Sequence, residues 1–147
     1  MLIDQRGSEI LTRPECLRLL AVAAKEDQIG RLAVTESQAP LVVPLNFTFH
    51  DGLVLVRIGS GRLSELVPGS LVAFEVDRVE PRPGQAWSVL VQGLATALAP
   101  GDYPPGTPMP QPWVPEPGDQ VLSIRPDVVT GRRFRLIPPD GASATHM

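Results

Sequence analysis

The chain has 147 residues, of which 43% are hydrophobic and 20% charged, and its net charge is −3. This size and this ordinary composition predict one folded domain and exclude a chain that is disordered throughout. The acidic balance argues against a nucleic-acid or membrane-surface binder, because such proteins need a basic footprint.

Three further observations bear on location. The single cysteine, Cys16, cannot form an internal disulfide, so an oxidising compartment is not implied. No apolar run approaches the roughly 18 residues of a membrane span. The first residues, MLIDQRGSEIL, carry two acids where a signal peptide would have a basic start and an apolar run. We therefore expect a cytoplasmic protein.

The first element in chain order is a helix over about residues 13–25. Thr12 and Glu15 have the spacing of a capping box, and Pro14 is tolerated in a first helical turn. Apolar residues then recur at positions 17, 20, 21 and 24, which is the spacing of a helix with one buried face. The pattern predicts a packing helix that carries no chemistry.

After the helix the hydrophobic period changes to two, which is typical of strands. The predicted strands cover residues 29–35, 41–50, 53–58, 70–77, 87–98, 121–125 and 129–136. Asp51 and Gly52 form a strong hairpin turn between the second and third strands, and residues 62–67 predict a short helix.

Residues 100–117 contain eight prolines, so we expect a loop without regular structure there. The pattern predicts a mainly β protein, a β-barrel with a few short helices. One domain would cover residues 1–137, followed by a flexible tail over 138–147. A doubly wound sheet is excluded because no helices lie between successive strands.

The sequence lacks the residues that several kinds of catalytic and metal-binding site require. The chain has two histidines, His50 at a hairpin turn and His146 in the tail, which disfavours a histidine-based catalytic assembly. Neither a metal-ligand motif nor a phosphate-binding loop of the Walker type is present. If the protein is an enzyme, a bound organic cofactor is expected to supply its chemistry.

Two segments indicate where such a cofactor could bind. Pro44 interrupts a strong strand, which places it at a sheet edge where backbone groups of its neighbours can face a flat ring. In VRIGSGRL, residues 56–63, glycines and Arg62 follow a strand, and free amides with an arginine can hold a phosphate. A plain edge strand and a solvated glycine turn are the competing interpretations.

Two more segments are open to a ligand or a packing interpretation. Trp87, followed by Ser88, offers a flat face that could stack on an aromatic ligand, fill a subunit interface or pack in the core. Arg132, Arg133 and Arg135 form a cluster that either binds an anion or pairs with acids such as Glu75 and Asp77.

Taken in order, the motifs resemble the pyridoxamine 5′-phosphate oxidase-like family of flavin-binding split barrels, particularly its small actinobacterial-type members. The resemblance covers about residues 9–135. It rests on EILTRPECLRLL, IGRLAVTESQAPLVVPLNFTF, LVLVRIGSGRLSEL, LVAFEVDRVEPRPGQAWSVLVQGLA, the pair Pro112 and Trp113, and IRPDVVTGRRF.

The resemblance implies a homodimer with FMN in the cleft between two split barrels. By matching motif, the flavin ring would lie along Val43, Pro44, Leu45 and Asn46. The ribityl phosphate would be held by Arg57, Ile58, Gly59, Arg62 and Leu63, while Trp87 and Ser88 would approach from the partner subunit. Relatives often carry a hydroxyl residue where this chain has Ile58, and a lysine preceded by a small residue near Arg62.

The function implied is that of an FMN-dependent oxidoreductase acting on a small molecule other than pyridoxamine phosphate. A competing hypothesis is a deazaflavin-dependent reductase, for which Arg31 and the cluster at residues 132–135 would supply a basic groove. Three hypotheses outside catalysis stay open: a flavin-binding module, a haem-binding module with His50 as the axial ligand, and a dimer that binds nothing.

Overall fold

A computed structural model describes residues 2–3, 7–112 and 119–136 of the chain. The α-helices are α1 (Arg13–Lys25) and α2 (Arg62–Leu66), and a 3₁₀ turn covers Pro100–Asp102. The strands are β1 (Leu2–Ile3), β2 (Glu9–Ile10), β3 (Ile29–Glu36), β4 (Ala39–His50), β5 (Leu53–Ile58), β6 (Leu71–Glu80), β7 (Gln85–Leu98), β8 (Gln120–Ile124) and β9 (Val128–Arg135).

The capping box at the start of α1 is formed. The Thr12 hydroxyl accepts a hydrogen bond from the Glu15 backbone N–H at 3.3 Å, and Glu15 Oε1 accepts one from the Thr12 N–H at 3.2 Å. Cys16, Leu20 and Ala23 are buried along one face of the helix. The helix therefore has the packing role that its apolar spacing predicts.

Six strands close into a barrel, in the order β7, β6, β3, β4, β5 and β8, with β8 pairing back onto β7. All of these pairings are antiparallel. The predicted split β-barrel is therefore confirmed, and closure leaves few unpaired strand edges within the barrel wall.

Two long strands change partners along their length, and this splits the barrel. The first part of β4 pairs with β3, and its last four residues, Phe47 to His50, pair with β5. Likewise, β7 pairs with β9 over Gln85 to Gln92 and with β8 over Ala95 to Leu98. Gly93 lies at this second change, where an added Cβ would come within 1.7 Å of the Arg125 carbonyl oxygen.

The core fills the barrel interior with side chains from alternate strand positions. Phe74 of β6 is fully buried and meets the ring of Phe47 edge to face, with ring centroids 5.1 Å apart. Aromatic pairs favour this geometry because the ring edge is positive and the ring face negative. The pair lies where β4 passes from β3 to β5.

Some features differ from the sequence prediction. The short strands β1 and β2 were not predicted, and β6 and β7 extend further toward their shared turn than expected. The prediction that residues 100–117 lack regular structure is wrong at its start, because the Asp102 N–H donates to the Ala99 carbonyl at 2.9 Å and closes a 3₁₀ turn. The Asp102 carboxylate caps this turn by accepting a hydrogen bond from the Ala99 N–H at 2.7 Å.

Trp113 and the predicted tail over residues 138–147 lie outside the described residues. Within the described part of the chain, no helix is long and apolar enough to cross a membrane.

Candidate functional site

A cleft of about 400 Å³ lies between β4, the end of β5 and the start of α2. Its volume falls within the range of ordinary small-molecule sites. The cleft brings together nine of the eleven residues predicted to bind a cofactor: Val43, Pro44, Leu45, Asn46, Arg57, Ile58, Gly59, Arg62 and Leu63. Residues 44 and 62, remote in sequence, therefore share one crevice.

One wall of the cleft is a strand edge. Residues 43–46 of β4 pair with β3 on one side, while pairing with β5 begins only at Phe47. On the side toward the cleft, this stretch has no strand partner among the described residues. An edge of this kind presents backbone N–H and C=O groups to whatever occupies the cleft. Pro44, which lacks a donor, lies in this half of the strand, as predicted.

Arg57 reaches the cleft from β5, one residue before the strand ends. Its side chain is half-buried, and its Nε is buried with no hydrogen-bond partner. Within the described residues, Arg57 also has no ion-pair partner. A buried donor without a partner costs about 1–3 kcal/mol, and more when it is charged, so such a group indicates a missing acceptor.

Arg62, by contrast, is already paired. Its Nε lies 2.7 Å from the Glu36 carboxylate at the end of β3. The amides of the glycine turn are also partly occupied, because the Gly61 N–H donates to the Ser64 hydroxyl at 3.1 Å. The expectation of fully free amides at this turn is wrong at Gly61, since Ser64 caps it.

The proline-rich segment forms another part of the wall. Pro110 and Pro112 line the cleft, and the Thr48 hydroxyl donates to the Pro108 carbonyl at 2.9 Å, which ties the segment to β4. Asp119, one residue before β8, also lines the cleft beside the glycine turn. No local signal predicts Asp119, because its position follows from the pairing of β5 with β8.

The remaining two predicted residues lie elsewhere on the chain. Trp87 is 2% exposed in the single chain and packs in the core. Ser88 is half-buried and lies on the outer face of the sheet, opposite Asp77 on β6 and Arg132 on β9. Contact of this pair with a ligand bound to a partner subunit stays a prediction.

The residues that the deazaflavin and haem hypotheses need are outside the cleft. Arg31 is held between Glu75 and Asp77 at 3.3 and 3.2 Å, and Arg133 lies 3.3 Å from Glu9. His50 is exposed at the β4–β5 turn. No group of three or more potential metal ligands occurs among the described residues.

The pKa of one of the two carboxylates beside Arg31 is shifted. Burial, together with the hydrogen bond and charge of Asp77, raises the pKa of Glu75 to about 7, although Arg31 acts in the opposite direction. Two carboxylates close together cannot both ionise easily, so one retains its proton to higher pH. This cluster lies on the sheet face and not in the cleft.

Known proteins are similar to this chain in sequence and in fold. The chain is 36% identical over 134 residues to an uncharacterised Mycobacterium tuberculosis protein, Rv0080, covering 84% of each. A crystal structure from Corynebacterium glutamicum, described as a candidate pyridoxamine 5′-phosphate oxidase, superposes with a TM-score of 0.71 at 29% identity, covering 88% of this chain and 94% of that one.

An FAD-binding protein from Mycobacterium smegmatis superposes with a TM-score of 0.67 at 28% identity, covering 88% of this chain and 100% of that one. The family model for pyridoxamine 5′-phosphate oxidase matches residues 12–133, which include every residue that lines the cleft. This chain therefore belongs to the pyridoxamine 5′-phosphate oxidase family.

Proposed function

We propose that this protein is a flavin-dependent oxidoreductase that binds FMN in the cleft, acts on a small molecule and works as a homodimer. The observation that carries the proposal is the buried, partnerless Nε of Arg57 at one end of a cleft whose wall is an open strand edge. An anionic group that accepts from Arg57 would satisfy this donor.

The residues present fit a flavin. The edge of β4 offers backbone donors and acceptors to the polar rim of the ring, and Val43, Leu45 and the proline wall offer apolar contact. Arg57 and Arg62 would hold its phosphate. When bound, a flavin supplies hydride or electron transfer, while the chain binds it, orients it and keeps water from it.

A second copy of the chain has a surface to dock on. Val42, Ala33, Ala73, Gln92 and Val128 are paired in one row across five strands, so they share the outer face of the sheet. On the same face Leu71 is 77% exposed, and Val42 and Val128 are 57% and 50% exposed, and exposed apolar side chains that share a face favour a protein partner. Because Val42 adjoins the cleft, a partner packed on this face would help to enclose the ligand.

FAD is a second candidate for the cofactor, because the Mycobacterium smegmatis relative is an FAD-binding protein. Deazaflavin and haem are less well supported. Arg31 and Arg133, needed for a basic groove, are paired with acids, and His50 lies at an exposed turn. We also propose a cytoplasmic location, since Cys16 is a buried free thiol.

The first test is to purify the protein, record its absorbance spectrum and titrate FMN and riboflavin. We expect a yellow protein or tight FMN binding, with riboflavin bound more weakly. Arg57→Ala should weaken FMN binding by about 1.5–3 kcal/mol, the range for a hydrogen bond to a charged group, and should leave riboflavin binding nearly unchanged.

The matched control is Arg18→Ala, which removes an arginine of α1, outside the cleft. It should bind both flavins as the unmodified protein does. Equal binding of FMN and riboflavin to the unmodified protein would rule out phosphate recognition by this cleft. Failure to bind any flavin would reject the proposed function.

A further inference from the structure

The two arginines of the cleft differ in whether they have an ion-pair partner. Arg57 has no ion-pair partner among the described residues, and its Nε is buried and unpaired. Arg62 forms an ion pair with Glu36 at 2.7 Å. An incoming phosphate can therefore bind Arg57 directly, whereas the charge of Arg62 is already opposed by a carboxylate of the protein.

Glu36 is the more firmly placed member of the pair. It is the last residue of β3 and is paired with Ala39 across the β3–β4 turn, where Ser37 has a positive φ of 54°. Its side chain is 28% exposed, whereas that of Arg62 is 66% exposed. If the pair opens, we expect the long arginine side chain to move while the carboxylate stays at the rim.

The charges at this end of the cleft also balance. Arg57 and Arg62 are opposed by Asp119, which lines the cleft, and by Glu36, which holds Arg62. A phosphate monoester, which carries about −1.5 to −2 charges at neutral pH, therefore gains less from this site than from one whose arginines are unopposed. A ligand that has the same ring without the phosphate has no such disadvantage.

We propose that Glu36 is a specificity-determining residue that competes with the ligand phosphate for Arg62 and so limits the preference for phosphorylated flavins. The inference rests on the proposed function, because it concerns the same cleft. It adds a residue that does not line the cleft and that acts on the ligand through Arg62.

The test compares Glu36→Gln with the unmodified protein, using FMN and riboflavin as probes. The change keeps the size of the side chain and removes its charge. We expect FMN to bind about three- to tenfold more tightly, the size of a partly exposed charge interaction, and riboflavin to bind unchanged. Glu65→Gln is the matched control, because Glu65 is an exposed acid on α2 and its removal changes the net charge equally.

A double variant tests whether the effect passes through Arg62. In an Arg62→Ala background, Glu36→Gln should give no further gain in FMN affinity, since the two residues act as one pair. An equal gain with and without Arg62 would overturn the proposal and indicate direct repulsion. An unchanged ratio of FMN to riboflavin affinity in Glu36→Gln would overturn it as well.

Inorganic phosphate separates this inference from the proposed function. Its binding is measured by calorimetry on the unmodified protein and on Glu36→Gln. If no flavin binds to either protein, the proposed function fails, but tighter phosphate binding by Glu36→Gln would still support competition for Arg62. Equal phosphate binding by both proteins would then contradict it.

Discussion

Gly30 of β3 leaves a space that the ring of Phe74 fills. A Cβ at residue 30 would lie 2.1 Å from the Phe74 Cζ atom, which is far inside van der Waals contact. The ring cannot easily withdraw, because Phe74 is fully buried and packs against Phe47. Close packing therefore requires glycine at residue 30, near the point where β4 passes from β3 to β5.

Gly30→Ala should lower the free energy of unfolding by about 1–3 kcal/mol, the usual effect of overpacking a core. Urea denaturation gives the measurement. Gly101→Ala is the control, because an added Cβ there meets nothing within 4 Å. Equal unfolding midpoints for the two variants would contradict the packing role of Gly30.

Individual side chains show which part of the site a sequence can reveal. The proline in β4 and the glycine turn before Arg62 are local signals, and both lead to the cleft. Trp87 gives the same signal whether it contacts a ligand or fills the core, and it fills the core. The pairing of Arg62 with Glu36 has no local signal, because it depends on how α2 packs near the end of β3.

At the scale of the elements, ion pairs link β3 and β6 on the outer face of the sheet. Arg31 of β3 bridges Glu75 and Asp77 of β6. The sequence suggests these acids as partners of the arginines at 132–135, but Arg31 lies directly opposite Glu75 in the sheet register. Cross-strand register decides the partner, and register is a property of the whole sheet.

This cluster predicts a pH dependence of stability. The pKa of Glu75 is about 7 in the folded chain, against an ordinary value of 4.5. The folded state thus holds this proton more tightly than the unfolded state does. The stabilisation is fully present below about pH 4.5 and is lost as the pH rises through about 7.

Glu75→Gln mimics the protonated carboxyl at every pH. We expect its melting temperature to match that of the unmodified protein at about pH 4 and to exceed it at about pH 8. Thermal unfolding followed by circular dichroism at both pH values measures the difference. Glu65→Gln serves as the control, and the same pH profile for Glu75→Gln and the unmodified protein would contradict the expectation.

Most of the helices and strands can be predicted from the sequence, but the division of β4 between two partners cannot. Strand periodicity and the capping box indicate β3 to β9 and α1 at nearly their observed bounds. The change of partner within β4 is not readable, because its twelve residues form one continuous pattern. Only closure of the barrel shows that the strand is divided, and that division creates the edge beside the cleft.

For the whole molecule, the outer face of the sheet predicts self-association. Leu71→Lys places a charge on this face at a side chain that is 77% exposed in one chain. Because the monomer barely buries Leu71, we expect the variant to fold normally. Burial of an unpaired charge should nevertheless disrupt the dimer.

Sedimentation velocity at micromolar concentration measures the effect. The unmodified protein should sediment as a dimer and Leu71→Lys as a monomer, with weaker flavin binding by the variant. Val22→Lys changes another exposed apolar residue, 42% exposed on α1, and should remain dimeric. A monomeric unmodified protein would contradict the proposed assembly.

The division of β4 separates what the architecture fixes from what substitution can alter. The strand edge along residues 43–46 is made of main chain, and the barrel cannot close without this stretch. The charged end of the cleft depends on four side chains, Arg57, Arg62, Asp119 and Glu36. Proteins with this barrel can therefore exchange one anionic ligand for another through a few substitutions. The backbone hydrogen bonds between the strands stay the same.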